Sequence, residues 1–410
     1  MTKSVLGIVG AVVCALAIWE SARIGYARTH ALHALRANDI ARAERSTQIL
    51  SRDAEVHAAR GVVLQRTANY PEACRELERA TQLRPRDYFL WMMLGVTRDL
   101  NDDQAGGIAA LHQAVALAPS YAKPRWLLGN LLLRQGDVAA AFQELRFAAE
   151  REPGLLPNVI DLAWGMSKGD PAQTVAFLRP NDDKARMAVA VFLSSHNQSE
   201  AALSQFRSTA NVSVADANQL TRRLIESRAF AEAYEVWSKS HCASCKPAAF
   251  INGSFEDEID LSTPGFGWQI PNEATGLTVS IDSGEHATGA RSLRIDFHGN
   301  TTAQATLASQ LLLVDPNKRY RVSVQAMTKS FVSAAGPIVR VVDASDERLP
   351  TIGQLSIKTG TSVWQPHTIQ FVTGANTRAV RIILSRDNCT ADPCAAFGTV
   401  WLDSFALAEE

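Results

Sequence analysis

Aligned against itself, this 410-residue chain repeats every 34 residues over 54–153. Four columns carry the period: Gly61, Gly95 and Gly129; Ala73, Gly107 and Ala141; Ala80, Ala114 and Ala148; Pro85, Pro119 and Pro153. A fixed period of this length marks a solenoid of stacked supersecondary units, because one unit alone cannot bury its apolar face. The small residues suit close approach of helices within and between units, and the proline column ends each second helix. Large apolar residues fill the core positions at helical spacing: Leu64, Leu77 and Leu83, then Trp91, Leu94 and Leu111, then Leu128, Leu132 and Leu145.

Tryptophan, leucine, glycine, alanine and proline at these offsets resemble the tetratricopeptide (TPR) family. Repeats 54–87, 88–121 and 122–155 match well. The flanking segments 27–52, 156–180, 182–208 and 214–240 are looser, as terminal repeats are expected to be, so an α-solenoid over 27–240 with about six helix hairpins is expected. The resemblance implies that a ligand lies in the groove lined by the first helix of each repeat. Mapping the outward offsets onto this chain selects Gln65, Arg66, Phe89, Met92, Asp99, Lys123, Trp126, Asn130 and Arg134. Aromatics beside arginine and lysine suit an extended peptide or its carboxylates. The competing reading packs Phe89, Met92 and Trp126 against neighbouring helices. The full lysine and asparagine set of the family's chaperone-tail binders is absent.

Ahead of the array, Val5 to Trp19 form an apolar run preceded by Lys3 and followed by Glu20 and Arg23, so 1–26 reads as a transmembrane anchor or uncleaved signal. Ala15 and Ala17 resemble a signal-peptidase site but lie inside the run, which favours retention; a cleaved signal and a buried soluble helix are the alternatives. Flanking charge does not decide orientation, since Arg23 and Arg28 follow the run while Lys3 and the amino terminus precede it. The cysteines point outward. Cys242/Cys245 and Cys389/Cys394 form two close pairs in turn-rich stretches, and local disulfides in an oxidising compartment explain both, with free thiols, a metal or redox chemistry as the lesser readings. Cys14 and Cys74 read as small core residues.

Near 241–247 the helical period gives way to short alternating runs rich in Val, Ile, Thr and Ser. Nine candidate strands begin at Leu277, Ser292, Ala305, Tyr320, Ile338, Gln354, His367, Ala379 and Thr399, which predicts one antiparallel β-sandwich over 248–410. Asn252-Gly253-Ser254-Phe255-Glu256, Gly267-Trp268, Gly289 to Leu293, Tyr320-Arg321-Val322, Trp364 to Phe371 and Trp401-Leu402-Asp403 together resemble the jelly-roll carbohydrate-binding modules and their galactose-binding-like relatives. The resemblance implies a structural Ca2+ at Glu256 and Asp403, for which two solvated acids are the plain alternative. It also makes Phe266, Trp268 and Trp364 candidates for stacking on a sugar ring, or core aromatics that define the fold.

The fold class expected is therefore a multidomain α plus β chain: N-terminal helix, α-solenoid, C-terminal jelly roll. A formal net charge of -1 gives no bulk attraction to nucleic acid. No phosphate-cradling glycine loop, nucleophile elbow or zinc helix occurs, so no catalytic residue is named. The expectation is a non-catalytic scaffold, bacterial by its alanine and arginine usage, at the inner membrane with its bulk in the periplasm. It would bind an extended peptide or envelope protein in the groove and polysaccharide on the sandwich, in envelope or exopolysaccharide assembly. A purely protein-binding adaptor with a structural sandwich, or a glycan-active enzyme, are the competing readings.

Overall fold

The computed structural model of the chain describes residues 2–271, 276–301, 306–386 and 394–410. It divides into two compact units, 1–179 and 180–410.

The first unit is an antiparallel helical array of TPR type. A long helix α1 (Thr2–Ala37) pairs through its C-terminal end with α2 (Ile40–Ile49). Four further hairpins follow: α3 (Ala54–Arg66) with α4 (Tyr70–Leu83), α5 (Tyr88–Leu100) with α6 (Gln104–Leu117), α7 (Ala122–Gln135) with α8 (Val138–Arg151), and α9 (Leu156–Met166) with α10 (Pro171–Leu178).

Local chemistry starts and stops these helices at the same register in successive repeats. Asp53 and Asp87 sit 34 residues apart and accept backbone N–H bonds from the first turns of α3 and α5. Asp103 and Asp137 do the same for α6 and α8. The tight turns inside the hairpins place Ala68, Asp102 and Gly136 at positive φ, again one per repeat.

The glycine column has a steric explanation. A Cβ at Gly61 would meet Leu77 Cγ at 2.7 Å, one at Gly95 would meet Leu111 Cγ at 2.7 Å, and one at Gly129 would meet Leu145 Cγ at 2.6 Å. Each glycine thus lets the second helix lay its central leucine directly on the backbone of the first, and all three leucines are buried.

The second unit combines helices with the sandwich. Hairpins α11 (Asp183–Ser195) with α12 (Ser199–Arg207) and α13 (Val214–Glu226) with α14 (Phe230–His241) precede nine strands. Strands β1 (Leu277–Asp282), β2 (Ser292–Thr301), β9 (Cys394–Glu409), β4 (Arg319–Ser333) and β7 (Gly360–Val372) form one sheet in that order. Strands β3 (Thr306–Leu313), β8 (Ala379–Arg386), β5 (Pro337–Asp343) and β6 (Thr351–Ser356) form the other. All pairings are antiparallel. Alternate residues such as Ile295, Val322, Val341, Ile382 and Val400 face one another in the shared core.

The change of period near 241–247 is a change of secondary structure, while the compact unit starts earlier, at Pro180. The α13/α14 hairpin is packed into the sandwich. Phe266 meets Tyr234 edge-on at 5.2 Å and Trp237 at 5.6 Å. Buried Asn218 donates to the Ser262 carbonyl at 3.2 Å and accepts from His241 Nε2 at 2.6 Å. Cys242 and Cys245, just past α14, are joined by a disulfide, and the Cys245 carbonyl accepts from Tyr234 at 2.8 Å. Cys389 lies outside the described residues.

Two measurements check the packing. Gly95→Ala is expected to cost about 1–3 kcal/mol in denaturant unfolding, because Leu111 is pinned at its branch point; Gly165→Ala in α9, whose Cβ would meet nothing within 4 Å, serves as the control and is expected to stabilise by about 0–1 kcal/mol. His57 Nδ1 lies 2.6 Å from Glu76 and its Nε2 lies 3.0 Å from the Ser51 carbonyl. The Glu76 hydrogen bond raises the imidazole above its ordinary value, against burial and the nearby Arg79. A raised folded-state value stabilises fully below the unfolded value of about 6.5 and the gain is lost as pH rises through the folded value. The melting-temperature advantage of the native chain over His57→Gln is therefore expected to be largest at mildly acid pH and to shrink above neutrality.

Candidate functional site

The first helices of the array enclose a groove of about 820 Å3 within the first unit. Its floor is apolar: α3 presents Ala58 and Val62, α5 presents Met92, Met93 and Val96, and α1 adds Leu32 and Leu35. These are one helical face sampled at steps of three and four residues. Phe89 stands at the rim with half of its surface exposed.

Charged groups ring the floor. Arg28 pairs with Asp53 at 2.7 Å and Glu55 at 3.0 Å, and Arg84 reaches Glu55 at 3.1 Å. Burial alone would push the Asp53 carboxyl up, but the Arg28 guanidinium holds it below its ordinary value. Arg66 donates to the Leu35 carbonyl at 2.7 Å. Gln65 donates to Thr97 at 2.9 Å.

Of the nine residues selected from the repeat register, Gln65, Arg66, Phe89, Met92 and Lys123 line this volume. The other four lie outside it: Arg134 pairs with Asp99, and Asn130 donates to the Trp126 carbonyl at 2.7 Å. Four floor residues that sequence reading passed over, Leu32, Ala58, Val62 and Val96, sit on the same columns one or two repeats away, whereas Leu35 and Met93 do not. Ala58 is 34 residues before Met92, and Arg28, Val62 and Val96 form one column with Asn130. Extending each selected column along the whole array would have found these four floor residues.

In the sandwich, the motif residues prove to be structural. Asn252 adopts φ 52° and Phe255 φ 59°. That backbone brings Gly253 against β9, where its carbonyl accepts from Phe405 N–H at 2.8 Å and a Cβ would meet the Phe405 carbonyl at 2.3 Å. Phe255 is thereby driven into a cluster with Trp268 and Phe405. Trp268 is 2% exposed and Phe266 1% exposed, so neither offers a ring face to a sugar; Trp268 follows the core-aromatic reading, and Phe266 is withdrawn as a sugar contact. Trp364 is half-buried.

Glu256 and Asp403 hold the loop over 285–291. Asp403 accepts N–H bonds from Ala287 at 2.8 Å and Thr288 at 3.0 Å, and Glu256 accepts from Ala290 at 2.9 Å and Arg291 at 3.2 Å. Gly289, at φ 65°, has no room for a Cβ beside Glu256. In this structure the two carboxylates therefore act as acceptors that tie the loop down. Among the described residues, no three His, Cys, Asp or Glu side chains are grouped to hold a metal.

The outer face of the five-stranded sheet carries a different constellation. Thr278, Asp296, Thr399 and Lys329 lie in register across four strands. Asp296 accepts from Thr399 at 2.7 Å and Arg294 at 3.0 Å. Trp401 donates to Asp282 at 2.7 Å beneath the Arg294 guanidinium. Burial would raise the Asp282 carboxyl, but Trp401, the Gly284 N–H and Arg294 together hold it low. In the next row Phe397 pairs across to His298 and stands 54% exposed. Sequence reading missed Phe397, since only the strand register shows that it faces outward.

No family model and no curated protein matches the chain. Among solved structures, MamA is similar at 17% identity over 34% of this chain and 82% of its own, with a TM-score of 0.31. YrrB, a TPR protein with an unusual peptide-binding site, is similar at 17% identity over 39% of this chain and 86% of its own, with a TM-score of 0.32. A CBM4 structure is similar at 13% identity over 39% of this chain and 99% of its own, with a TM-score of 0.30. At these scores the likenesses carry no weight of their own; the hairpin array and the sandwich are read from the registers and burial described above.

Proposed function

We propose that this chain is a non-catalytic adaptor, anchored in a bacterial inner membrane by α1 with its bulk in the periplasm, that takes an apolar protein segment into the groove of its helical array. The observation that carries this reading is the groove itself: an apolar floor spanning three repeats, with a half-exposed phenylalanine at its rim. Hydrophobic surface left open in a concave, charge-rimmed site is a docking feature rather than a packing remnant. The anchor reading is supported by Ile8, Val9, Val12, Leu16, Ile18 and Trp19, all exposed on a helix apolar enough to cross a membrane. The oxidised Cys242–Cys245 pair supports an oxidising compartment.

A specific observation favours a second ligand. Exposed Phe397, paired with His298 beside the polar row of Thr278, Asp296, Thr399 and Lys329, has the aromatic-plus-polar composition that carbohydrate faces select. On this reading the sandwich contacts envelope polysaccharide while the groove holds the protein, as in exopolysaccharide assembly.

Peptide-display selection on the detergent-solubilised full chain, followed by titration of the selected peptide, checks the groove. Val96→Lys is expected to abolish binding and Phe89→Ala to weaken it about tenfold or more, with circular dichroism unchanged; selected peptides indifferent to both changes would move the site elsewhere. A polysaccharide array probed with the same protein checks the sandwich. Binding is expected to fall with Phe397→Ala and to be the same with and without calcium; absence of binding to every glycan would leave the sandwich as a protein-contacting cap.

A further inference from the structure

The groove and the apolar segment share one helix. Helix α1 runs unbroken from Thr2 to Ala37. Its side chains from Ile8 to Trp19 are exposed on every face, whereas Ala27, Ala31 and Ala34 are buried in the array. The same C-terminal turns contribute Arg28, Ala31, Leu32 and Leu35 to the groove wall. At about 1.5 Å per residue, Arg28 stands roughly 3 Å beyond Tyr26, where the apolar segment ends, and Leu35 roughly 14 Å. The polar headgroup layer accounts for about 5–7 Å of that height. No flexible linker intervenes, so the groove is held at a fixed, short distance above the bilayer.

Its charge is unbalanced. Arg28 and Arg84 are matched by Asp53 and Glu55, and the Asp87 carboxylate caps α5. Arg66 donates only to a carbonyl, and among the described residues no acid pairs with Arg66 or Lys123. Both line the apolar volume. An apolar floor flanked by two unmatched cations suits a polypeptide with apolar anchors and carboxylates.

We infer that the occupant of the groove is an acidic, apolar juxtamembrane segment of a protein held in the same bilayer. The inference rests on the anchor and groove readings above and adds where the partner is and what charge it carries. Sharing a bilayer turns docking into a local event: a segment tethered by a linker that matches the height of the groove gains effective concentration with no new contact.

The test uses the full chain in phosphatidylcholine nanodiscs with a photoreactive residue at position 62. The probe is a 12-residue peptide alternating leucine and glutamate, offered soluble, on a lipid anchor with a linker of about eight residues, or on one of about forty. Crosslinking of the short-linked probe is expected to exceed that of the long-linked one at least fivefold, and a leucine–lysine version to stay at background. Arg66→Glu with Lys123→Glu is expected to reverse that charge preference. Equal yields from short, long and soluble probes would overturn the juxtamembrane position. Preference for the lysine version would overturn the acidic segment, and protection of position 62 by anionic lipid alone would make lipid the occupant. Failure of every soluble peptide to label the detergent-solubilised chain would instead retire the peptide-groove reading itself.

Discussion

The central repeats of the first unit depend on how closely two helices approach at a glycine. Gly61, Gly95 and Gly129 each receive a leucine from the helix that follows, at distances no Cβ would permit. That contact brings the helices of the three central hairpins together, and repetition at a constant period carries the same geometry forward. The groove is a by-product of this stacking. With the leucines and alanines consumed by the interior, the opposite face of each first helix is left without a partner, and its residues recur on columns of the same period.

The sandwich is organised by a different constraint, the need to close its opening segment onto its last strand. Gly253 approaches the backbone of β9, Phe255 fills the core at positive φ, and Glu256 and Asp403 gather the N–H groups of one loop. The short motif that drew attention in the sequence is therefore a latch. The two carboxylates are engaged by backbone donors, and aromatics that close a core are not free to bind a sugar. A glycan surface, if the sandwich has one, has to be built elsewhere, and the exposed ring of Phe397 marks where the strand pairing leaves an aromatic facing outward.

Helix α1 joins two environments in one rigid element. Its first turns are apolar on all sides and its last turns are alanine on the face that meets α2 and α3. Because the chain passes from one to the other without a break, the apolar segment and the groove wall belong to a single helix.

The residues themselves determined the period, the helical character of each hairpin, the order of the nine strands and the apolar N-terminal segment, because these follow from local spacing and composition. Expected strands at Leu277, Ser292, Tyr320 and Ala379 lie within β1, β2, β4 and β8. Part of the groove was legible for the same reason: Gln65, Phe89, Met92 and Lys123 follow from repeat register. Only the tertiary structure decided which aromatics are buried, that α13 and α14 pack against the sandwich, and that Glu256 and Asp403 face amides. Those outcomes depend on contacts between residues as far apart as Glu256 and Ala290 or Thr288 and Asp403, and no periodicity encodes what lies across a core.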